Sequence, residues 1–291
     1  MKNLLNAPPE EGRATLLLGN GSRRIRDYTL SYSRMDIRVD EEFTTIFPRT
    51  GWLVLSFITG TDFESRFLNY DQSVTRPNHL YISGLFSESS LLVRQTGHGG
   101  GYALKVHPVI GYYLLRRPMT ELVDRQIRLC QAMEGHGPLL EHVEATYRIT
   151  SFDHPEVRRF LIGCLPPKEA YRSDPIYHGV NEIARYNGII DVHAMAKRYF
   201  MSERTFRRQF LLKVGLSPKA YAKIWQLRYA MDLIQQRPQT CLEQISYAAG
   251  YYDVAHLAHD FKSRVSLPPS RHQGYLNALS QQYLGDTPGF K

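Results

Sequence analysis

Cysteine is scarce in this chain. There are three in 291 residues, Cys130, Cys164 and Cys241, widely spaced and with no Cys-x-x-Cys pair. That count argues against a disulfide framework and a thiolate zinc site, and suits reduced thiols in a cytoplasm. Long apolar runs are also missing. The longest mostly apolar stretch, Trp52 to Ile58, falls far short of the roughly 20 residues that cross a bilayer. Residues 1–20 hold no sustained apolar segment of the secretory kind, so a cytoplasmic protein with no membrane partner is expected. The usual signatures of catalysis are lacking as well. His79, His98 and His107 are scattered, and Glu64 and Glu88 keep no ligand spacing with them, whereas imidazole and carboxylate ligands must converge on one ion. The run His98-Gly99-Gly100-Gly101 lacks the lysine and the strand-to-helix setting of a phosphate cradle, and reads as a flexible loop. No nucleophile elbow is found. The expectation is no enzyme, no cofactor and no metal.

Acidic residues are in deficit, and the deficit is local. The chain carries a formal net charge of +8. Between Lys197 and Arg228 stand nine bases (Lys197, Arg198, Arg204, Arg207, Arg208, Lys213, Lys219, Lys223, Arg228) and one acid, Glu203. This segment alone therefore equals the excess of the whole chain. A solvated helix surface mixes both signs, whereas a basic face offers phosphate contacts and counterion release.

The same region repeats a pattern. Val192, Met195, Ala196 and Tyr199 fall at the spacing of one helical face. Ser202 and Glu203 then supply a cap oxygen and an acid for a second helix, with Thr205, Phe206 and Phe210 inward. A second copy runs Leu242, Ile245, Ser246, Ala249, Gly250-Tyr251, Asp253, His256, Leu257 and Phe261. Ala196 matches Ser246 at an offset of 50 and Phe210 matches Phe261 at 51, so the second turn is one residue longer; its Gly250 suits positive φ. Between the copies, Ser217-Pro218 opens a helix whose apolar stripe Tyr221, Ile224, Leu227, Met231 and Ile234 continues to Arg237-Pro238. Two helix-turn-helix units on one spacer helix are predicted.

Over about 183–275 the sequence resembles the AraC/XylS transcription regulators. The resemblance rests on Ala196, Ser202, Phe206 and Phe210, on Gly215-Leu216-Ser217-Pro218, and on Ile245, Gly250-Tyr251, Phe261-Lys262 and Pro269. It implies two units entering successive major grooves on one face of B-DNA. Carried over by position, it implies DNA contacts from Ser202, Arg204, Arg207 and Arg208 in the first unit, and from Val254, Ala255, Ala258, His259 and Lys262 in the second. Arginine can grip guanine O6 and N7 with a fixed fork, so Arg207 or Arg208 is expected to read a base. The chain departs from the pattern at Phe200 and Ser266, where glycine is common, and at His259, where arginine is. From Cys241 to Gln273 three bases meet three acids, so the second unit is expected to position the protein through apolar contacts more than through charge.

Ahead of Pro118, short apolar runs are broken by turn residues: Thr15 to Leu18, Asp27 to Tyr32, Thr44 to Phe47, Trp52 to Thr59, Phe63 to Leu68, His79 to Ser83, Leu91 to Arg94 and Tyr102 to Val106. They predict strands of a β-barrel or sandwich with no long helix among them. Trp52, Phe57, Tyr81, Phe86 and Tyr102 are core residues or the lining of an apolar cavity. From Met119 the period becomes helical. The predicted fold class is α+β: a β-rich, cupin-like sensor or dimerisation domain over 1–118, a helical connecting segment over 119–173, an all-α double helix-turn-helix domain over 174–280, and a tail over 281–291. The expected function is a sequence-specific DNA-binding transcription regulator, with double-stranded promoter DNA as partner. RNA polymerase, an unknown small-molecule effector and a second copy of the chain are further candidate partners. The competing readings are a cupin-like metal-dependent enzyme tethered to DNA and an architectural DNA binder without sequence preference.

Overall fold

The computed structural model describes residues 15–18, 29–47, 51–61, 63–67, 72–87, 91–147, 149, 151–152, 154–237, 239–265 and 269, the early strands as backbone only. Glu88, Ser266, Asp27 and the tail over 281–291 lie outside the described residues.

The N-terminal part is an antiparallel sheet of β1 (Thr15–Leu18), β2 (Thr29–Phe47), β3 (Leu53–Gly60), β4 (Phe63–Phe67), β5 (Gln72–Thr75), β6 (Leu80–Ser83), β7 (Leu91–Val106) and β8 (Gln126–Arg128). Its order is β1-β2-β7-β3-β6-β8, with β4 bonded to β7 and β5 bonded to β4. The long β7 is the spine. Its second half lies between β2 and β3, with Tyr102 opposite Arg34 and Phe57. Its first half lies between β2 and β4, with Leu92 opposite Ile46 and Arg66.

Four expected strands therefore merge into two. In β2 the charged Asp40-Glu41-Glu42 does not end the strand; it coincides with a register shift between Val39 and Phe43, where extra residues are absorbed as a bulge. In β7 the glycine run is strand, not flexible loop, with Gly99, Gly100 and Gly101 opposite Ile37, Asp36 and Met35. A Cβ on Gly101 would stand 2.1 Å from the Phe57 carbonyl oxygen, so the close approach of β3 requires glycine there.

A short helix lies before Pro118, after the last expected strand. α1 (Pro108–Leu115) begins with Pro108, and the His107 side chain accepts a hydrogen bond from the Val109 N–H at 3.1 Å. Six of its eight residues are buried. A helix apolar all round shows no polar face, and so no 3.6-residue period. The segment after Met119 is in turn not wholly helical. A 3-10 turn (Met119–Leu122) leads to β8, whose Ile127 pairs with Ile82 on the sheet edge. There the buried Glu144 carboxylate accepts hydrogen bonds from the Leu80 N–H at 2.9 Å and from Arg128 at 2.6 Å. The short helices α2 (Leu129–Ala132), α3 (Gly137–Thr146), α4 (Pro155–Cys164) and α5 (Lys168–Arg172) follow. Along this stretch Leu129, Met133, Leu140, Val143, Val157, Phe160 and Leu161 are buried, and Leu139 is exposed.

The remainder is helical: α6 (Pro175–Arg185), α7 (Val192–Arg198), α8 (Glu203–Val214), α9 (Pro218–Gln236), α10 (Leu242–Ala248) and α11 (Val254–Val265). One core runs without a break from Trp52, just ahead of β3, to Trp225 in α9, and a second joins the end of α9 to α10 and α11. Trp52, Phe57, Tyr81 and Phe86 are buried core residues and Tyr102 packs against them. Among the described residues no helix is long and apolar enough to cross a membrane.

Candidate nucleic-acid interface

Each unit is built by local sequence. In the first, the Asp191 carboxylate caps α7 by accepting from the His193 and Ala194 N–H groups at 2.8 and 3.2 Å. The chain turns at Phe200 (φ 55°), and the Met201 N–H returns to the Ala196 carbonyl at 3.0 Å. Ser202 Oγ then accepts from the Thr205 N–H at 3.2 Å, capping α8. The second unit has no side-chain cap on its first helix, at Cys241, but repeats the later steps: Gly250 turns (φ 74°), the Tyr251 N–H bonds the Ser246 carbonyl at 2.8 Å, and Asp253 accepts from the His256 N–H at 2.7 Å. Phe200 thus corresponds to Gly250 and Ser202 to Asp253. The extra residue is Tyr252.

Burial orients the helices. Met195, Ala196, Phe206 and Phe210 are inside, as are Ile245, Ser246, Leu257 and Phe261. Thr205, expected inward, is half-buried, and His256 is exposed with its ring 5.2 Å from that of Tyr251. A ladder of rings ties the first unit to the sheet: Tyr199 on Phe206, then Phe210, Tyr221, Trp225 and finally Trp52, each pair between 5.2 and 6.4 Å apart. Between the units, α9 is capped by Ser217, which accepts from the Ala220 N–H at 3.2 Å. Its 19 residues span about 28 Å at 1.5 Å each.

The outer face of α8 carries Arg204, Arg207 and Arg208, all exposed, with Ser202 exposed at its start. Arg207 donates from Nε to Glu203 one turn back at 2.8 Å. That bond, with a smaller contribution from His193, holds the Glu203 carboxyl below its ordinary range. Arg207 is thereby aligned along the helix, while Arg204 and Arg208 make no ion pair among the described residues. On α11, Ala255, His259 and Lys262 are exposed and Val254 and Ala258 half-buried. All nine expected contact residues thus lie at the start or along the second helix of a unit.

The basic count overstates the charge available to a partner. Lys213 turns inward to the buried Asp174 carboxylate at 2.6 Å, which also caps α6 at the Ile176 N–H and accepts from the Tyr113 hydroxyl. Arg228 is buried beside Trp225 and Asp232. Lys223 lies 4.9 Å over the Tyr251 ring, its ammonium pushed down by burial. Lys197 and Lys219 remain exposed; the family resemblance implies no contact from either. The second unit is tied differently. Asp260, buried, accepts from the Tyr251 hydroxyl at 2.8 Å and pairs with Arg264. Arg264 reaches the Ser87 carbonyl of the N-terminal part at 2.9 Å. Among the described residues no three His, Cys, Asp or Glu side chains group as metal ligands.

Two capped helix pairs on a spacer, each with an apolar inner and a polar outer face, define the class: a helix-turn-helix protein that binds DNA to regulate transcription. Residues 195–275 match the family described as a helix-turn-helix domain, of the AraC type. Comparison with curated proteins gives no match. Among solved structures, the chain is similar to ToxT from Vibrio cholerae at 12% identity, covering 85% of this chain and 99% of that one with a TM-score of 0.45. It is also similar to an AraC-type DNA-binding-domain regulator from Chromobacterium violaceum at 20% identity, covering 36% and 93% with a TM-score of 0.33.

Proposed function

We propose that the chain is a cytoplasmic, sequence-specific regulator that reads double-stranded promoter DNA mainly through its first unit. The observation that carries this reading is α8: three exposed arginines on one face, Ser202 at the N-terminus, and Phe206 and Phe210 buried opposite. A recognition helix enters the major groove with its N-terminal residues on base edges, and an arginine fork discriminates guanine there. Arg207 and Arg208 read bases, and Arg204, Lys197 and Lys219 meet phosphates. In the second unit Val254, Ala255 and Ala258 offer apolar contact to thymine methyls, with His259 and Lys262 positioning the backbone.

In this reading 174–280 is the DNA-binding domain, 119–173 the connector and 1–118 the sensory or dimerisation part, through which a small effector would act. RNA polymerase is the further partner at the promoter, and no reaction is catalysed. The test is selection of genomic fragments by the full chain at physiological salt, with Arg207→Ala/Arg208→Ala beside the wild type. A shared motif spanning two groove segments, degraded at one of them in the double variant, is the expected result. Steeply salt-dependent binding with no motif would replace the regulator by an architectural binder.

A further inference from the structure

The two most exposed large apolar or aromatic side chains among the described residues are Phe200 (99% exposed) and Tyr252 (85%). Both lie in the turn that leads into the second helix of a unit. Phe200 also sits at φ 55°, where the second unit has Gly250. A phenylalanine in left-handed backbone is strained, and a fully exposed ring gains nothing from burial. Glycine would serve this turn better, so the fold does not account for the residue. Strain of this kind persists where a site uses it.

The surroundings indicate what covers the ring. Its N–H bonds the carbonyl of Lys197, and two residues later Ser202 opens α8. Lys197 and Arg198 precede it, both exposed, Arg198 paired with Glu182, and Arg204, Arg207 and Arg208 follow, Arg207 paired with Glu203. An apolar ring inside a cationic rim fits a surface that is anionic outside and apolar within, which is the edge of a DNA groove. In helix-turn-helix docking the first helix crosses the sugar–phosphate backbone and the second enters the groove N-terminus first. The turn between them is therefore at the rim.

We infer that Phe200 is a DNA contact, its ring packing on deoxyribose and base methyl groups at the edge of the major groove that α8 enters, with Tyr252 as its counterpart in the second unit. This rests on the regulator reading above and adds a contact that carries no charge. An apolar contact releases no counterions, so it strengthens binding without altering the salt dependence.

The experiment measures affinity of the full chain for the duplex enriched by the wild type, at several salt concentrations, for Phe200→Gly and Phe200→Asn. Glycine and asparagine both tolerate left-handed backbone, so both variants are expected to melt higher than wild type. Each is expected to bind about tenfold more weakly, as loss of an aromatic–nucleotide contact implies, with the slope of affinity against salt unchanged. Tyr252→Ala is expected to weaken binding less. Affinity within twofold of wild type for both Phe200 variants overturns the inference; if promoter output then falls, the ring meets a protein of the transcription machinery instead. A wild-type chain that binds no duplex overturns this inference together with the regulator reading, and is distinguished by appearing before any variant is made.

Discussion

The two helix-turn-helix units share a turn, a cap and an inner face, yet they are mounted in different ways. The first has no core of its own: Phe206, Phe210, Tyr221 and Trp225 belong to the cluster that begins at Trp52, just ahead of β3, and includes the sheet's inner residues. The second closes its own core from Leu227, Met231, Ile245, Leu257 and Phe261. It reaches the N-terminal part by the polar chain of Asp260, Arg264 and Ser87. Close-packed interiors transmit displacement, whereas one part-buried polar contact couples two elements more loosely. The unit with the arginines is thus held rigidly by the N-terminal part, and the near-neutral unit is the one with freedom to adjust.

The largest effect should come from the reading face. Arg207→Ala/Arg208→Ala is expected to lower specific affinity by about a hundredfold or more, given roughly 1–3 kcal/mol for each arginine–guanine pair. His259→Ala should change it by no more than about threefold. Fluorescence anisotropy on the enriched duplex measures both, and the reverse ranking would break the division of labour between the units. Next is the mounting of the first unit. Lys213→Met leaves the Asp174 carboxylate, 2% exposed, without its cation, at a cost of about 3 kcal/mol. A matching fall in thermal stability by calorimetry is expected.

A third effect depends on pH. Burial pushes the His107 imidazole down to about 3, while in the unfolded chain it titrates near 6.5. Above pH 6.5 both states are neutral and the full stability is present. As pH falls from 6.5 toward 3 only the unfolded state takes up the proton, so stability drops by about 1.4 kcal/mol per pH unit. His107 packs on Trp52 and Tyr177, so the loss should fall on the core shared with the first unit. Acid titration followed by the fluorescence of Trp52 and Trp225, the only two tryptophans, measures it, and His107→Asn should flatten the curve while keeping a cap for Val109. The smallest effect tests the second mounting. Arg264→Ala should cost about 1 kcal/mol and speed amide exchange in α11 while leaving α8 unchanged; equal changes in both helices would erase the contrast.

Much of this contrast was legible in the sequence because it is written in short-range signals. Ser202, Gly250 and Ser217-Pro218 mark caps and turns by local chemistry, and Phe206, Phe210, Leu257 and Phe261 mark inner faces by period. What escaped depends on distant contacts. The glycine run in β7 looks like a loop until β3 stands against it. α1 has no polar face to betray its period. β8 is only three residues long and takes its identity from β6. The inward turn of Lys213 and Arg228 is likewise invisible to a count of charges, since a base bound to a buried carboxylate and a base offered to phosphate look alike in a row of letters.

Gly51 carries a consequence for how this chain can change over time. Its carbonyl accepts the Tyr221 hydroxyl at 2.8 Å, and a Cβ on it would stand 2.8 Å from the Trp225 indole nitrogen. The spacer helix is therefore fitted to one particular bend of the sheet. A chimera that joins residues after 174 to a foreign front half would present that indole to water, or to a backbone too bulky to admit it. Recombination would have to carry Gly51 and α9 together, so front and back halves should be inherited as a matched pair.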